Sequence, residues 1–351
     1  MRVHFCLADM HGPGYYRGYL PLSRMSLIGH ACTHGTSMPT LENCQEQGLN
    51  VLVGQRLVEP SPTALWQALA RHGRRDFALV MDLDDDLWNI DRSNDAHAFF
   101  DPERLRRLKE NVAVADLITV STEHLANVVT EHASVPVVVL PNTVPQFLTE
   151  LVPSHAVADA EGRQVIGEDD LVIGWAGSST HNRDFGECAR SVKRVIQAHP
   201  QTIFHCICPV DYTERVASIR GRTHHTAWVN GVENYYRAIN FDIGLAPLYP
   251  FPFNESKSDI RLLELGALGI PVIASPVGPY LRAFDEGHRG YWLAGNPREW
   301  TECLTHLIKE PETRQKLGKE AREWVLGRTT EANAYRWVAA YQQALAGVGT
   351  P

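Results

Sequence analysis

The chain reads as an α/β fold of two doubly wound domains with parallel sheets. Three observations predict this. Short, β-branched apolar runs alternate with helix-like segments along the whole sequence, the pattern of strand–helix–strand units. At 351 residues there is enough chain for two separate cores. A polar stretch without clear period, 149–170, divides one such series from a second and reads as a linker or surface excursion.

In the first series the pattern predicts strands at Val3–Leu7, Val51–Val53, Ala78–Met81, Leu117–Val120 and Val137–Leu140. Helices are predicted at Tyr15–Ser26, Thr63–Arg71, Pro102–Val114 and Thr122–His132. The second series opens with Leu171–Trp175 and continues at Ile203–Ile207, Thr226–Val229, Ile243–Ala246 and Val272–Ala274. Pro247 ends the Ile243–Ala246 strand. Two amphipathic helices follow near Arg298–Ile308 and Glu312–Trp324, then a last one near Glu331–Ala346, rich in Trp and Tyr. The expected division is 1–150, a linker at 151–170, a second domain at 171–328 and a terminal helix at 329–351.

Composition narrows the function classes. A hydrophobic fraction of 44% and mean hydropathy of −0.22 fit a soluble globular protein. No apolar run approaches the roughly 20 residues that span a bilayer. The opening MRVHFCLAD turns polar too soon for a signal peptide and reads as the first strand. Seven scattered cysteines lack a second pair at metal-ligand spacing, so structural thiols in a reducing cytoplasm are expected. Net charge is −8, and residues 1–150 hold 12 Lys and Arg against 18 Asp and Glu, about −6. That argues against a nonspecific grip on nucleic acid, which calls for a basic surface. Arg104, Arg106, Arg107 and Lys109 form one local basic face.

The most informative stretch is FNESKSDIRLLELGALGIPVIAS, from Phe253 to Ser275. It reads as loop, helix, turn and strand. Ser256 and Ser258 are capping residues, with Asp259 in the first turn. Ile260, Leu263, Ala267 and Leu268 share one helix face. Gly269 stops the helix and Pro271 bars its continuation. A helix start attracts anions through its free N–H groups and its dipole, and Lys257 adds a full charge there. Glu264 lies about two turns in, too deep to cap that end. A carboxylate at that depth suits a sugar diol. Phosphates at the tip with a ribose alongside would be a bound nucleotide.

The same stretch, as SKSDIRLLELGALGIPVIAS, resembles the C-terminal signature of glycosyltransferase family 4 and its phage and bacterial relatives. The resemblance implies a GT-B fold, two Rossmann-like domains facing across a cleft, with the last helix crossing back to the first domain. It implies a nucleotide-diphosphate sugar as donor, a UDP-sugar by preference, with no cofactor or metal required and with retention at the anomeric carbon. Many members carry two glutamates eight residues apart. The second, a ribose binder, falls on Glu264; the first falls on Ser256, a departure at the donor sugar. Phe253-Asn254 matches the relatives' FN pair, placing Asn254 on sugar hydroxyls or in a turn. The Ser256–Ser258 helix start and Lys257 would hold the diphosphate.

Other loops fit the same outline. Ile173–Asp184 leaves the first strand of the second domain. Here Gly177 matches the family glycine, Ser178 replaces its Arg, Arg183 stands near its Lys, and His181 adds positive character. Val229 and Asn230 fall on the turn that contacts the nucleobase. Asp9–Arg17, DMHGPGYYR, follows strand one and resembles the family's first loop on the acceptor side, with Gly14, Tyr16 and Arg17 as its contacts. Pro141-Asn142 resembles the family's Pro-Asn at the end of the first domain and reads as a structural hinge.

The acidic run Asp82–Asp86 in VMDLDDDLW concentrates repelling carboxylates at a strand end. A metal-binding DxD site and an acceptor-orienting site both fit it. The helix start at Ser256–Asp259 already supplies a phosphate site, which favours the second, with Asp84 and Asp85 on acceptor hydroxyls and Trp88 as a stacking platform or a buried ring. Lys257, Arg183, Asp84 and Asp85 are therefore the expected catalytic set. The acceptor would be a glycan, a small molecule or a hydroxylated modified DNA base; a non-catalytic sugar-nucleotide binder is the alternative that Ser256 supports.

Overall fold

The computed structural model describes residues 1–72, 75–158, 161–217, 221–227 and 229–348. The first sheet contains β1 (Arg2–Cys6), β2 (Ala31–Gly35), β3 (Val51–Gln55), β4 (Ala78–Leu83), β5 (Leu117–Val120) and β6 (Val137–Val139). All are parallel, in the order β2-β1-β3-β4-β5-β6. β3 and β4 are buried along their full length, as the continuous apolar runs of a sheet covered on both faces require. β2 escapes the sequence pattern because ACTHG lies at the sheet edge, largely exposed, and needs no apolar alternation.

The stretch between the domains is not structureless. It carries a small antiparallel hairpin, β7 (Val157–Ala158) with β8 (Gln164–Ile166). Ile166 is buried in the second domain's core, so this excursion packs rather than dangles. The second sheet contains β9 (Leu171–Ala176), β10 (Thr202–Ile207), β11 (Arg222–Thr226), β12 (Ile243–Ala246), β13 (Val272–Ala274) and β14 (Tyr291–Leu293). They too are parallel, in the order β11-β10-β9-β12-β13-β14. This is the 3-2-1-4-5-6 arrangement of dinucleotide-binding folds. β11 lies four residues before the predicted Thr226–Val229, because its RTHHT is a half-exposed edge strand with no apolar run. Trp228, part of that expectation, lies outside the described residues.

Both sheets reverse their winding at one point, between β1 and β3 and between β9 and β12. Ligands of open α/β sheets bind beyond the strand C-termini at such points. The last helix, Thr330–Gly347, packs on the helix Leu20–Leu27 and on β4. Trp337 and Tyr341 are buried there among Val3, Phe5, Val51 and Val80 of the first domain. The chain's two passages between domains lie side by side: the Thr330 N–H donates to the Val144 carbonyl at 2.8 Å, and the Thr143 and Thr330 hydroxyls bond at 2.8 Å.

Candidate active site

A cleft of about 270 Å³ lies between the domains, at the switch points of both sheets. Its second-domain wall comprises Trp175 to Ser178 at the end of β9, Leu245 to Leu248 at the end of β12, Val229, Gly231, Val232 and Tyr235, and Lys257, Ser258, Ile260, Arg261 and Glu264. Its first-domain wall comprises His11 to Pro13, Tyr16, Asp84, Asp85 and Asn142.

The helix at the heart of the second wall is Ile260–Ala267. Gly269 follows it at φ +72°, the left-handed stop that only glycine takes without strain. The serines do not cap it. Asp259 occupies the cap position without a side-chain bond to the helix, and Arg328 pairs with it at 3.0 Å. Ser258 faces the cleft, its hydroxyl accepting from Asn142 Nδ2 at 2.8 Å. Ser256 is fully buried outside the cleft, bonded to His124 at 3.2 Å. Arg282 donates to the carbonyls of Glu255 and Lys257, which fixes the loop before the helix. Lys257 Nζ stands 4.5 Å over the Phe253 ring and 3.5 Å from Asp85 Oδ1 of the first domain.

Glu264 is 3% exposed, at the floor of the cleft. One carboxylate oxygen accepts from Arg261 at 2.6 Å; the other accepts from the hydroxyl of Tyr16, a first-domain residue. Arg261 also donates to the Tyr235 hydroxyl. Burial opposes the charge on Arg261, but Glu264 beside it holds the guanidinium well above its usual range.

In the first wall, every member of the acidic run is partnered, Asp84 and Asp85 by the same arginine. Asp82 is buried against Arg17 at 2.8 Å, with Thr119 and Gln55 also donating to it. Asp84 accepts from Arg56 Nε at 2.5 Å and Asp85 from Arg56 Nη2 at 2.7 Å. Asp86 closes a local turn through Trp88 N–H and Asn89. Burial, with Asp85 adding to it, pushes the Asp84 carboxyl up to about 6 against the pull of Arg56. Burial acts the same way on Asp85, yet Lys257 and Arg56 together hold it below the carboxylate range. Among the described residues, no cluster of three or more His, Cys, Asp or Glu is arranged to hold a metal.

Several sequence expectations are corrected. Arg17 is fully buried, bound to Asp82, Asn142 and the Leu140 carbonyl, and does not line the cleft. Trp88 stacks on His132 at 4.1 Å, away from the cleft. Arg183 does not face the cleft; it pairs with Asp91 across the domain boundary and lies 3.5 Å over the Tyr249 ring. Asn254 is buried and donates to Asp184 and the Tyr249 carbonyl, both structural contacts. Asn230 is exposed and outside the cleft, whereas Val229 lines it. Gly14 sits behind the cleft wall, where a Cβ would lie 1.8 Å from the Asp9 carbonyl oxygen.

Gly177, Ser178 and His181 do line the cleft. His181 Nδ1 bonds to Asp184 at 2.7 Å. Burial, opposed by Asp184 but reinforced by Lys257, lowers the His181 pKa, so the imidazole is neutral at neutral pH. An ionised carboxylate only accepts, so Nδ1–H is the donor and Nε2 is left for the cleft.

Sequence reasoning missed Arg56, Arg261 and Tyr235. Arg261 was findable: it stands three residues before Glu264, the spacing of side-chain neighbours on a helix. Arg56 carried no signal. It is the non-glycine residue with positive φ (+47°) among the described residues, a conformation no local sequence announces.

Comparison with known proteins agrees with the two-domain fold. Residues 186–339 match the family model described as glycosyl transferase-like. The D-inositol 3-phosphate glycosyltransferase of Paenarthrobacter aurescens is 30% identical over 107 residues, 28% of this chain and 24% of that protein. The protein of the same name from Kribbella flavida is 25% identical over 264 residues, 69% of this chain and 60% of that protein. The matched region thus spans less than two thirds of either curated relative. Sucrose-phosphate synthase from Thermosynechococcus elongatus superposes with a TM-score of 0.67 at 16% identity, covering 98% of both chains. Anabaena HepE in complex with UDP and glucose gives 0.67 at 12% identity, covering 98% of this chain and 100% of that one. The chain therefore has the GT-B architecture of glycosyltransferases, with a glycosyl transferase-like segment spanning most of its second domain and reaching into the last helix.

Proposed function

We propose that this protein transfers a sugar from a nucleotide-diphosphate donor, a UDP-sugar by preference, to an acceptor hydroxyl. One observation carries the reading: a single interdomain cleft joins Lys257, a helix start and buried Glu264 on one wall to Asp84 and Asp85 on the other. In this reading the diphosphate lies between Lys257, Ser258 and the backbone after β9 at Gly177 and Ser178. The ribose reaches Glu264, and the base lies along Val229 and Tyr235. As the glycosidic C–O bond breaks, negative charge grows on the departing phosphate. Lys257 and the start of the Ile260–Ala267 helix stabilise that charge most in the transition state. Arg261 replaces Arg183 as the second cation of the cleft, its charge shared with Glu264. Fixed cations of this kind supply the neutralisation that a divalent ion would otherwise give.

Asp84 and Asp85 orient the acceptor hydroxyl. With retention, the acceptor approaches on the face the diphosphate leaves, and a phosphate oxygen takes its proton. Lys257 leaves Asp85 for the diphosphate when the donor enters, which frees that carboxylate for the acceptor.

Calorimetric titration of UDP and GDP, with EDTA present throughout, tests this reading. The wild type should bind one of them. Lys257→Ala should weaken binding by roughly tenfold to a hundredfold, the range of a lost charge-assisted hydrogen bond. Unchanged affinity would remove Lys257 from the site.

A further inference from the structure

We infer that Tyr16, a first-domain residue, is a positioning residue for the second domain's nucleotide-binding carboxylate; this rests on Glu264 binding the ribose as proposed above. Glu264 has two oxygens, and each has one strong donor. Arg261, from the same helix, holds one; the Tyr16 hydroxyl, from across the cleft, holds the other. A carboxylate oxygen accepts about two hydrogen bonds, so each retains room for a ribose hydroxyl. With both donors in place the carboxylate plane is fixed.

The surroundings are built to aim that hydroxyl. Asp9 Oδ1 accepts from the N–H groups of His11 and Gly14, which locks the loop after β1. Gly14 then has no space for a side chain. Tyr15–Tyr19 form a π-helical turn, a local widening frequent at functional sites. The next residue, Arg17, is clamped by Asp82, Asn142 and the Leu140 carbonyl, so the turn cannot rotate. Tyr16 is thereby presented in the opposite sense, toward the cleft, edge-on to the Tyr15 ring at 5.2 Å. Its hydroxyl also bonds to that of Tyr236 at 2.7 Å. Burial first, and Glu264 next, hold its pKa far above the ordinary range, so it stays a donor at every physiological pH.

One consequence concerns both domains. The ribose contact is complete only while the first domain is closed onto the second. Discrimination for the ribose should then depend on a first-domain residue that acts on the nucleotide only through its bond to Glu264.

The test titrates UDP and 2′-deoxy-UDP into the wild type, Tyr16→Phe and Tyr236→Phe. The wild type should prefer the ribonucleotide by about tenfold, the scale of a hydrogen bond to a charged group. Tyr16→Phe should bring the two affinities to within about threefold, while Tyr236→Phe, which leaves the Tyr16–Glu264 bond in place, should keep the preference. A ratio unchanged in Tyr16→Phe, or one lost equally in Tyr236→Phe, overturns the inference alone. Tighter UDP binding by Tyr16→Phe also overturns it, because Tyr16 would then be a competitor. Where GDP is the nucleotide bound, GDP and 2′-deoxy-GDP take their places, and a wild type that binds neither UDP nor GDP removes the donor-site reading and this inference with it.

Discussion

The two walls of the cleft solve opposite electrostatic problems. The second-domain wall gathers positive character from one contiguous stretch, Lys257 to Glu264, where a helix start, a lysine and an arginine lie within eight residues. The first-domain wall gathers negative character, and must stop Asp82, Asp84 and Asp85 from repelling one another. It does so with cations drawn from elsewhere in the chain: Arg17 for Asp82, Arg56 for Asp84 and Asp85, and Lys257 from the facing domain for Asp85. The comparison teaches that a binding wall can be written locally, whereas a wall of like charges is stable only when tertiary structure supplies its counter-ions.

Breaking the first wall's compensation should have the largest effect. Arg17→Met leaves Asp82 buried with only neutral donors, and the loss of one partner of a buried pair costs about 3–5 kcal/mol. Urea unfolding should show that loss, and a stability equal to wild type would mean that Asp82 is held well enough by Thr119 and Gln55.

A sharper test shifts a titration. Asp84 has its carboxyl raised to about 6, chiefly by burial and then, against Arg56, by the neighbouring Asp85 charge. If an ionised Asp84 is needed to accept from the acceptor hydroxyl, sugar-nucleotide turnover rises with pH through that value. Asp85→Asn removes the like charge, so the ionised form becomes easier to reach and the acid limb should move down by roughly one unit. A limb that stays in place would separate Asp84 from the rate.

The smallest effect is expected at the rim. Arg183 and Asp91 pair across the domains at a partly exposed site. Arg183→Ala should change stability by no more than about 1 kcal/mol, as exposed pairs do. It should leave nucleoside diphosphate affinity within about twofold. A larger loss of affinity would return Arg183 to the diphosphate site.

The two walls also differ in how far they could be read beforehand. Lys257, Ser258 and Glu264 were legible because the helix period and the Gly269 stop lie within a few residues of them, although Asp259 and not a serine takes the cap position. The acidic run was visible, but not which carboxylate faced the cleft. Asp82, Asp84 and Asp85 differ only in their place along one strand end, and side-chain partners 27 to 65 residues away within the first domain sort them. Arg17 and Tyr16 are adjacent in sequence and were assigned together, yet the π-helical turn sends one to buried Asp82 inside the first domain and the other across the cleft. The direction of a side chain there depends on helical phase, which composition does not set.

The sequence by itself determined the α/β alternation, most strands of both parallel sheets and the helix that carries Glu264 just after Lys257. Those follow from local periodicity, caps and glycine stops, whose physics acts within a few residues. Tertiary structure alone decided the edge strands β2, β11 and β14, the burial of Arg17, the outward turn of Arg183, and the reach of Tyr16 to Glu264. Edge strands need no apolar signature. The charged side chains go wherever a distant counter-ion offsets the loss of water, and only the folded chain brings that counter-ion near.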